Sequence, residues 1–238
     1  MDKRFIAAVQ SYWTSRSDQA VKQAAKGTLD TGARSSVTGG KQMAALEWLV
    51  VDHLKEVGLN DLHIFKQQKI ELPGYFRPEK KWDLIVVSEG QLVCALEFKS
   101  QVGPSFGNNS NNRAEEAIGN AVDIWTAYRE GLFGNSPRPF IGYFFLLEDC
   151  PKVHTPVKIS EPHFKADKVF EKASYARRYE LLCRRLVLER YYDGACLTLA
   201  TKVNPTKVSH PADDLSFERF IKELQAAAAK FIYIASLS

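Results

Sequence analysis

The sequence predicts an α/β fold, with one central mixed β-sheet flanked by helices. Three observations carry that expectation. Strand-like runs that alternate with period two are interspersed with helical runs of period 3.6, rather than grouped apart from them. Hydrophobic residues make up 45% of the 238, which supplies the core of one large domain, taken as residues 1–238. The stretch 82–99 is apolar over most of its length and reads as two mostly buried strands.

The elements follow in order. Residues 3–25 read as a helix with Phe5, Ile6, Val9 and Trp13 on one side. Residues 27–40 are rich in Gly, Ser and Thr and read as a loop. A second helix over 41–57 has Met43, Leu46, Val50 and Leu54 as its apolar stripe. Residues 62–72 read as a strand, ended by the turn Pro73-Gly74. The runs 82–88 and 91–99 form a hairpin about Glu89-Gly90. Residues 103–112 read as a polar loop containing Asn108, Asn109, Asn111 and Asn112. The helix after it, 113–128, carries Ala117, Ile118, Ala121, Trp125 and Tyr128 on one face. A buried strand is expected over 140–147, an irregular stretch over 151–170 and an arginine-bearing helix over 175–191. A short strand over 195–201 and a last helix over 216–234 close the chain.

The hairpin carries the chemistry. Side chains alternate faces, so Glu97 and Lys99 share one. A two-residue loop of Glu89-Gly90 pairs Asp83 with Leu96, on the wrong face. A three-residue loop of Ser88-Glu89-Gly90 pairs Asp83 with Ala95 and sets it diagonal to Glu97, roughly 7–8 Å between backbones. Function therefore calls for the three-residue loop. Two carboxylates suit Mg2+, a hard cation that takes carboxylate oxygens and keeps several waters. Bound beside a phosphodiester, such an ion polarises the phosphoryl oxygen and lowers the pKa of an attacking water. Lys99 supplies a point charge for the phosphate. Asp83, Glu97 and Lys99 are thus the candidate catalytic residues, with Asp83 and Glu97 as metal ligands. The competing reading is a solvated sheet face with a surface ion pair. The apolar flanks weigh against it, because charged groups at the end of a mostly buried strand need a reason.

The segments Asp83 and Glu97-Phe98-Lys99 resemble the motif of the PD-(D/E)XK nuclease superfamily, with Trp82 where proline is usual. The stretch 96–109, continued by Asn111-Asn112-Arg113-Ala114-Glu115-Glu116-Ala117-Ile118-Gly119, is more specific. Together with 125–131, 136–140 and Val37-Thr38-Gly39-Gly40-Lys41-Gln42-Met43, it resembles the XhoI-type family of type II restriction endonucleases. The resemblance runs over nearly the whole chain and is densest over 37–149. It implies a PD-(D/E)XK restriction-endonuclease-like core and a homodimeric, Mg2+-dependent enzyme acting on double-stranded DNA. It further implies cleavage of the palindrome CTCGAG after the first cytosine, leaving 5′ overhangs. A partner methyltransferase would act on the same site without needing to bind this chain.

Further residues stay open between two readings. Glu47 is either a helix-surface acid or a third metal-facing one. Gln101 either faces solvent or meets a substrate phosphate. Asn108, Asn109, Asn111, Asn112 and Arg113 follow Lys99 closely and are expected to read bases, since asparagine pairs bidentately with adenine and arginine with guanine. A plain surface loop capped by Asn112 is the alternative. Lys41 and Arg34 either contact phosphates or sit at an ordinary helix start. The arginines of 175–191, interrupted by Glu180 and Glu189, form a solvated face or a phosphate-contacting one.

Composition excludes other classes. Thirty-two basic against 28 acidic residues give a net charge of +4, too mild for a non-specific DNA coat. The four cysteines lack CxxC pairing, and no two histidines stand at metal-ligand spacing, which disfavours zinc and fits free thiols in a reducing cytoplasm. The N-terminus lacks the long apolar run of a signal peptide, and no stretch suggests a membrane span. Two other functions remain: a repair or junction-resolving nuclease of the same superfamily, and a DNA-binding regulator that does not cleave. Clustered acids facing phosphate argue against the second.

Overall fold

A computed structural model describes residues 2–25, 40–104 and 106–235. The expected loop over 27–40 lies almost wholly outside these residues. The helices are α1 Lys3–Ala25, α2 Gly40–Lys55, α3 Phe106–Arg129, α4 Pro151–His154, α5 Tyr175–Leu188 and α6 Phe217–Ala235. The strands are β1 Ile64–Lys66, β2 Glu71–Pro73, β3 Glu79–Lys81, β4 Leu84–Ser88, β5 Gln91–Gln101, β6 Phe140–Glu148, β7 Gly194–Ala200 and β8 Val208–Ser209. Six of them form one mixed sheet in the order β1-β4-β5-β6-β7-β8, and β2 and β3 form a separate small hairpin.

The sheet is parallel where helical crossovers join its strands, at β5/β6 and β6/β7, and antiparallel elsewhere. Its centre is covered on both faces, which is why β5, β6 and β7 read as nearly continuous apolar runs. One face packs Leu84, Val86, Leu96, Phe98 and Phe144 against α1, α2 and α6. The other packs Ile85, Ala95, Tyr143 and Phe145 against α3 and α5. Gly142 lets the first layer close: a Cβ there would stand 2.5 Å from Leu96 Cδ2 and 3.0 Å from the rings of Phe140 and Phe220.

The hairpin differs from the expectation in the device that sets its register. The loop has two residues, with Ser88 opposite Gln91. Glu89 and Gly90 both have positive φ, 51° and 74°, as a type I′ turn requires. The parity that such a turn would spoil is restored by a bulge. Val87 faces Leu92 but Val86 faces Cys94, so Val93 is an extra residue. Val93 and Cys94 accordingly enter the same core layer. Beyond the bulge Leu84 faces Leu96, and the next residues outward are Asp83 and Glu97.

Three other elements differ. The strand expected over 62–72 is two short strands, because Gln67 and Lys69 take left-handed backbone, φ 69° and 56°, and turn the chain between them. Strand β3 was not expected in its polar Glu79-Lys80-Lys81 run. The segment 103–112 is not a loop throughout, since α3 begins at Phe106 and takes in every asparagine of the run. Phe106 is buried and stacks on Tyr175 at 5.9 Å. That anchor holds the first turn in place despite the poor helix propensity of asparagine.

Candidate active site

The site lies at the end of the β4–β5 pair farthest from its turn. Asp83 enters the sheet with its N–H donating to the Leu96 carbonyl at 3.2 Å. Its carboxylate accepts from the Phe98 N–H at 2.7 Å, which fixes it beside the Glu97-Phe98-Lys99 segment. Glu97 is 3% exposed and forms ion pairs with both Lys99 and Lys80. Two acids and two lysines therefore share one largely desolvated pocket.

The electrostatics separate the two acids. Burial, with the neighbouring charge of Glu97 adding to it, pushes the Asp83 carboxyl up to about 6. Burial acts on Glu97 as well, but Lys99 and Lys80 outweigh it and hold Glu97 below the usual carboxylate range. Lys99 stays above its ordinary value because Glu97 and Asp83 outweigh its burial. Lys80 falls below its own, burial being the larger influence there.

Lys80 is the residue that sequence reasoning missed. Its Nζ also donates to the Lys81 carbonyl at 3.0 Å and sits 4.1 Å from the centroid of the Trp82 ring. A signal existed: Lys80 and Trp82 are two apart, so an extended chain places them on one side, next to Asp83. The β2–β3 hairpin that carries Lys80 is tied to α3 at its tip. Asp123 accepts from the Tyr75 and Phe76 N–H groups at 2.8 and 2.9 Å and from Arg77 Nε at 2.6 Å. Arg77 also reaches Asn120 Oδ1 at 2.8 Å.

The other candidates disperse. Glu47 is buried on α2, where its carboxylate pairs with Lys66 at 3.0 Å. Lys66 faces Leu84 across β1 and β4, so this pair belongs to the α1/α2 face of the sheet. Among the described residues no group of three or more His, Cys, Asp or Glu side chains is placed to hold a metal. Glu47 thus does not join Asp83 and Glu97, and its expected role as a third metal-facing acid is not supported by its position.

Gln101 is 3% exposed at the end of β5, its amide donating to the Val102 carbonyl at 3.2 Å, rather than facing solvent. Asn109 is half-buried and Asn111 and Asn112 are exposed on the first turns of α3. The side chains of Asn108 and Lys41, and the whole of Arg34, lie outside the described residues. Arg113 pairs with Glu116 at 2.5 Å, and its positive charge acts against that of Lys99. In α5, Arg177 and Arg184 pair with Glu180 at 2.6 and 2.9 Å, and Arg185 pairs with Asp167 at 2.5 Å, a solvated face braced by its own acids.

Two carboxylates on adjoining strand ends, with a lysine two residues after one of them, are a donor set suited to Mg2+, which fills its remaining positions with water. Among the described residues no helix is long and apolar enough to cross a membrane.

The comparisons with known proteins agree on one family. The family described as "Restriction endonuclease XhoI" matches residues 22–210. The type II restriction enzyme BstVI of Geobacillus stearothermophilus is 49% identical over 202 residues, 82% of this chain and 90% of that protein. The type II restriction enzyme AbrI of Azospirillum brasilense is 49% identical over 168 residues, 70% of this chain and 75% of its own. The type II restriction enzyme XhoI of Xanthomonas vasicola is 43% identical over 192 residues, 80% of this chain and 77% of its own. No solved structure matches significantly. By the extent of these matches, the chain belongs to the XhoI restriction endonuclease family, type II enzymes that cut duplex DNA at specific sites.

Proposed function

We propose that this endonuclease recognises CTCGAG and hydrolyses each strand after the first cytosine, with Mg2+ held by Asp83 and Glu97 and with Lys99 facing the scissile phosphate. The observation that carries the assignment of chemistry is the convergence of Asp83, Glu97 and Lys99 on adjoining strand ends. The target sequence rests on the family resemblance. Bound Mg2+ supplies a Lewis acid for the phosphoryl oxygen and a more acidic water.

The chain's own residues do the rest. Glu97, kept ionised by its two lysines, presents a fixed negative charge toward the metal position. The Lys99 ammonium offsets charge building on the phosphorus and orients the incoming water. Arg113, on the helix that follows β5 and with its charge felt at Lys99, would meet a backbone phosphate. The exposed Asn111 and Asn112, just ahead of Arg113 on the same helix, remain candidates for base contacts.

A palindromic target is matched by a two-fold symmetric protein in which each subunit reads a half-site and cuts one strand. Digestion of a defined plasmid in Mg2+, followed by sequencing of the fragment ends, tests this reading. Ends that all derive from CTCGAG with a 5′ overhang are expected. Ends at a different fixed palindrome would overturn the target, and structure-dependent nicks would favour a repair or junction-resolving nuclease. Sedimentation of the DNA complex is expected to show two chains per duplex; one chain on a full site would contradict the dimer.

A further inference from the structure

Glu97 carries two cations where the chemistry of the site needs one. Lys99 is accounted for by the phosphate. Lys80 is not. It comes from a different element, the β2–β3 hairpin, and it is held there by design of the local structure. Leu72 faces Lys80 across the hairpin. The Trp82 ring lies beneath its ammonium at 4.1 Å, and the tip of the hairpin is fastened to α3 through Asp123. The side chain of Lys80 is 11% exposed and that of Glu97 is 4% exposed, so the pair is largely shielded from solvent.

A divalent ion on Glu97 and an ammonium on the same carboxylate repel one another strongly in such surroundings. The repulsion between an ammonium and a divalent ion is twice that between two unit charges at the same distance, and little water is present to screen it. Lys80 must leave Glu97 for a metal to bind well. Its new partner is close at hand, because the scissile phosphate is to lie beside Lys99, on the same carboxylate. Lysine is a point charge on a flexible stem and moves between such partners without backbone change.

We propose that Lys80 holds the metal's place on Glu97 in the DNA-free protein and passes to a DNA phosphate when the duplex docks, so that metal loading follows substrate binding. The inference rests on the reading of Asp83 and Glu97 as the metal pair. Linkage then makes DNA and metal bind cooperatively, and Lys80 is the positioning residue that couples them.

Titration calorimetry of Mn2+ into the DNA-free protein tests the first half, comparing wild type, Lys80→Met and Glu97→Gln. Lys80→Met is expected to bind Mn2+ at least about tenfold more tightly than wild type, a small part of the repulsion it relieves. Equal affinities, with binding still abolished by Glu97→Gln, would overturn the proposal and leave the metal pair intact. If neither wild type nor Lys80→Met shows binding that depends on Glu97, the metal-pair reading itself fails. The second half is read from the salt dependence of DNA binding in EDTA. Lys80→Met is expected to lower the slope by about one relative to wild type, the signature of one lost phosphate contact. An unchanged slope would overturn the transfer to phosphate. Circular dichroism verifies folding, and Lys80→Gln replaces the methionine variant if that one unfolds.

Discussion

Replacing Asp83 by asparagine should abolish cleavage and, in the same protein, raise stability. The carboxyl of Asp83 is pushed from an ordinary 3.8 to about 6, first by burial and then by the charge of Glu97. Keeping it ionised in the metal-free protein therefore costs about 3 kcal/mol. The folded state binds a proton more readily than the unfolded chain between these two values. The contribution of Asp83 to wild-type stability in EDTA thus falls as pH rises from about 4 to about 6, then levels off. Asparagine is neutral throughout and can still accept the Phe98 N–H. The gain of Asp83→Asn should be near zero at pH 4 and complete by pH 8. At about 2–4 °C per kcal/mol for a chain of this size, the pH 8 gain is about 6–12 °C in Tm. Thermal unfolding in EDTA at the two pH values, with plasmid cleavage in Mg2+ alongside, measures all of this. An Asp83→Asn protein no more stable than wild type at pH 8, or equally stabilised at both pH values, would refute the account of a desolvated, crowded carboxylate.

Lys99→Ala should lose about 3–4 kcal/mol of transition-state stabilisation, a rate loss of about 10²–10³ in single-turnover cleavage; a tenfold loss or less would give Lys99 a structural role. Asp123→Ala removes the acceptor of three donors at the β2–β3 tip. It should cost about 1–3 kcal/mol in urea unfolding and speed amide exchange at Tyr75 and Phe76. Gly142→Ala forces a methyl against Leu96 and the Phe140 and Phe220 rings and should destabilise by about 1–3 kcal/mol in the same assay. Arg113→Ala should weaken binding to CTCGAG and to unrelated duplex alike and lower the salt slope by about one. A loss confined to the CTCGAG duplex would make Arg113 a base reader.

Local pattern was enough for part of the molecule. The alternation within one hairpin already places Glu97 and Lys99 together, and the apolar runs of β6 and β7 mark strands covered on both faces. What escaped depends on partners distant in sequence. The asparagine run became helix because Phe106 found Tyr175 across 69 residues of chain, which no propensity encodes. The environment of Glu47 was decided by the pairing of β1 with β4, which brought Lys66 to it. Lys80 sits in a run of charges that reads as solvated surface until the hairpin folds it over Trp82 onto Glu97.

The bulge at Val93 also bears on how such sites are sought in other chains. It makes the stretch between the two acids one residue longer than an unbulged ladder of the same rungs and turn would have. A relative with the same two-residue turn and no bulge would set its acids on the same face at a separation one residue shorter. A relative with the bulge but a longer turn would need a separation longer still. A search that demands a fixed interval between the aspartate and the Glu-x-Lys segment would discard such proteins. The invariant to look for is the parity of side-chain direction, which a single inserted residue resets.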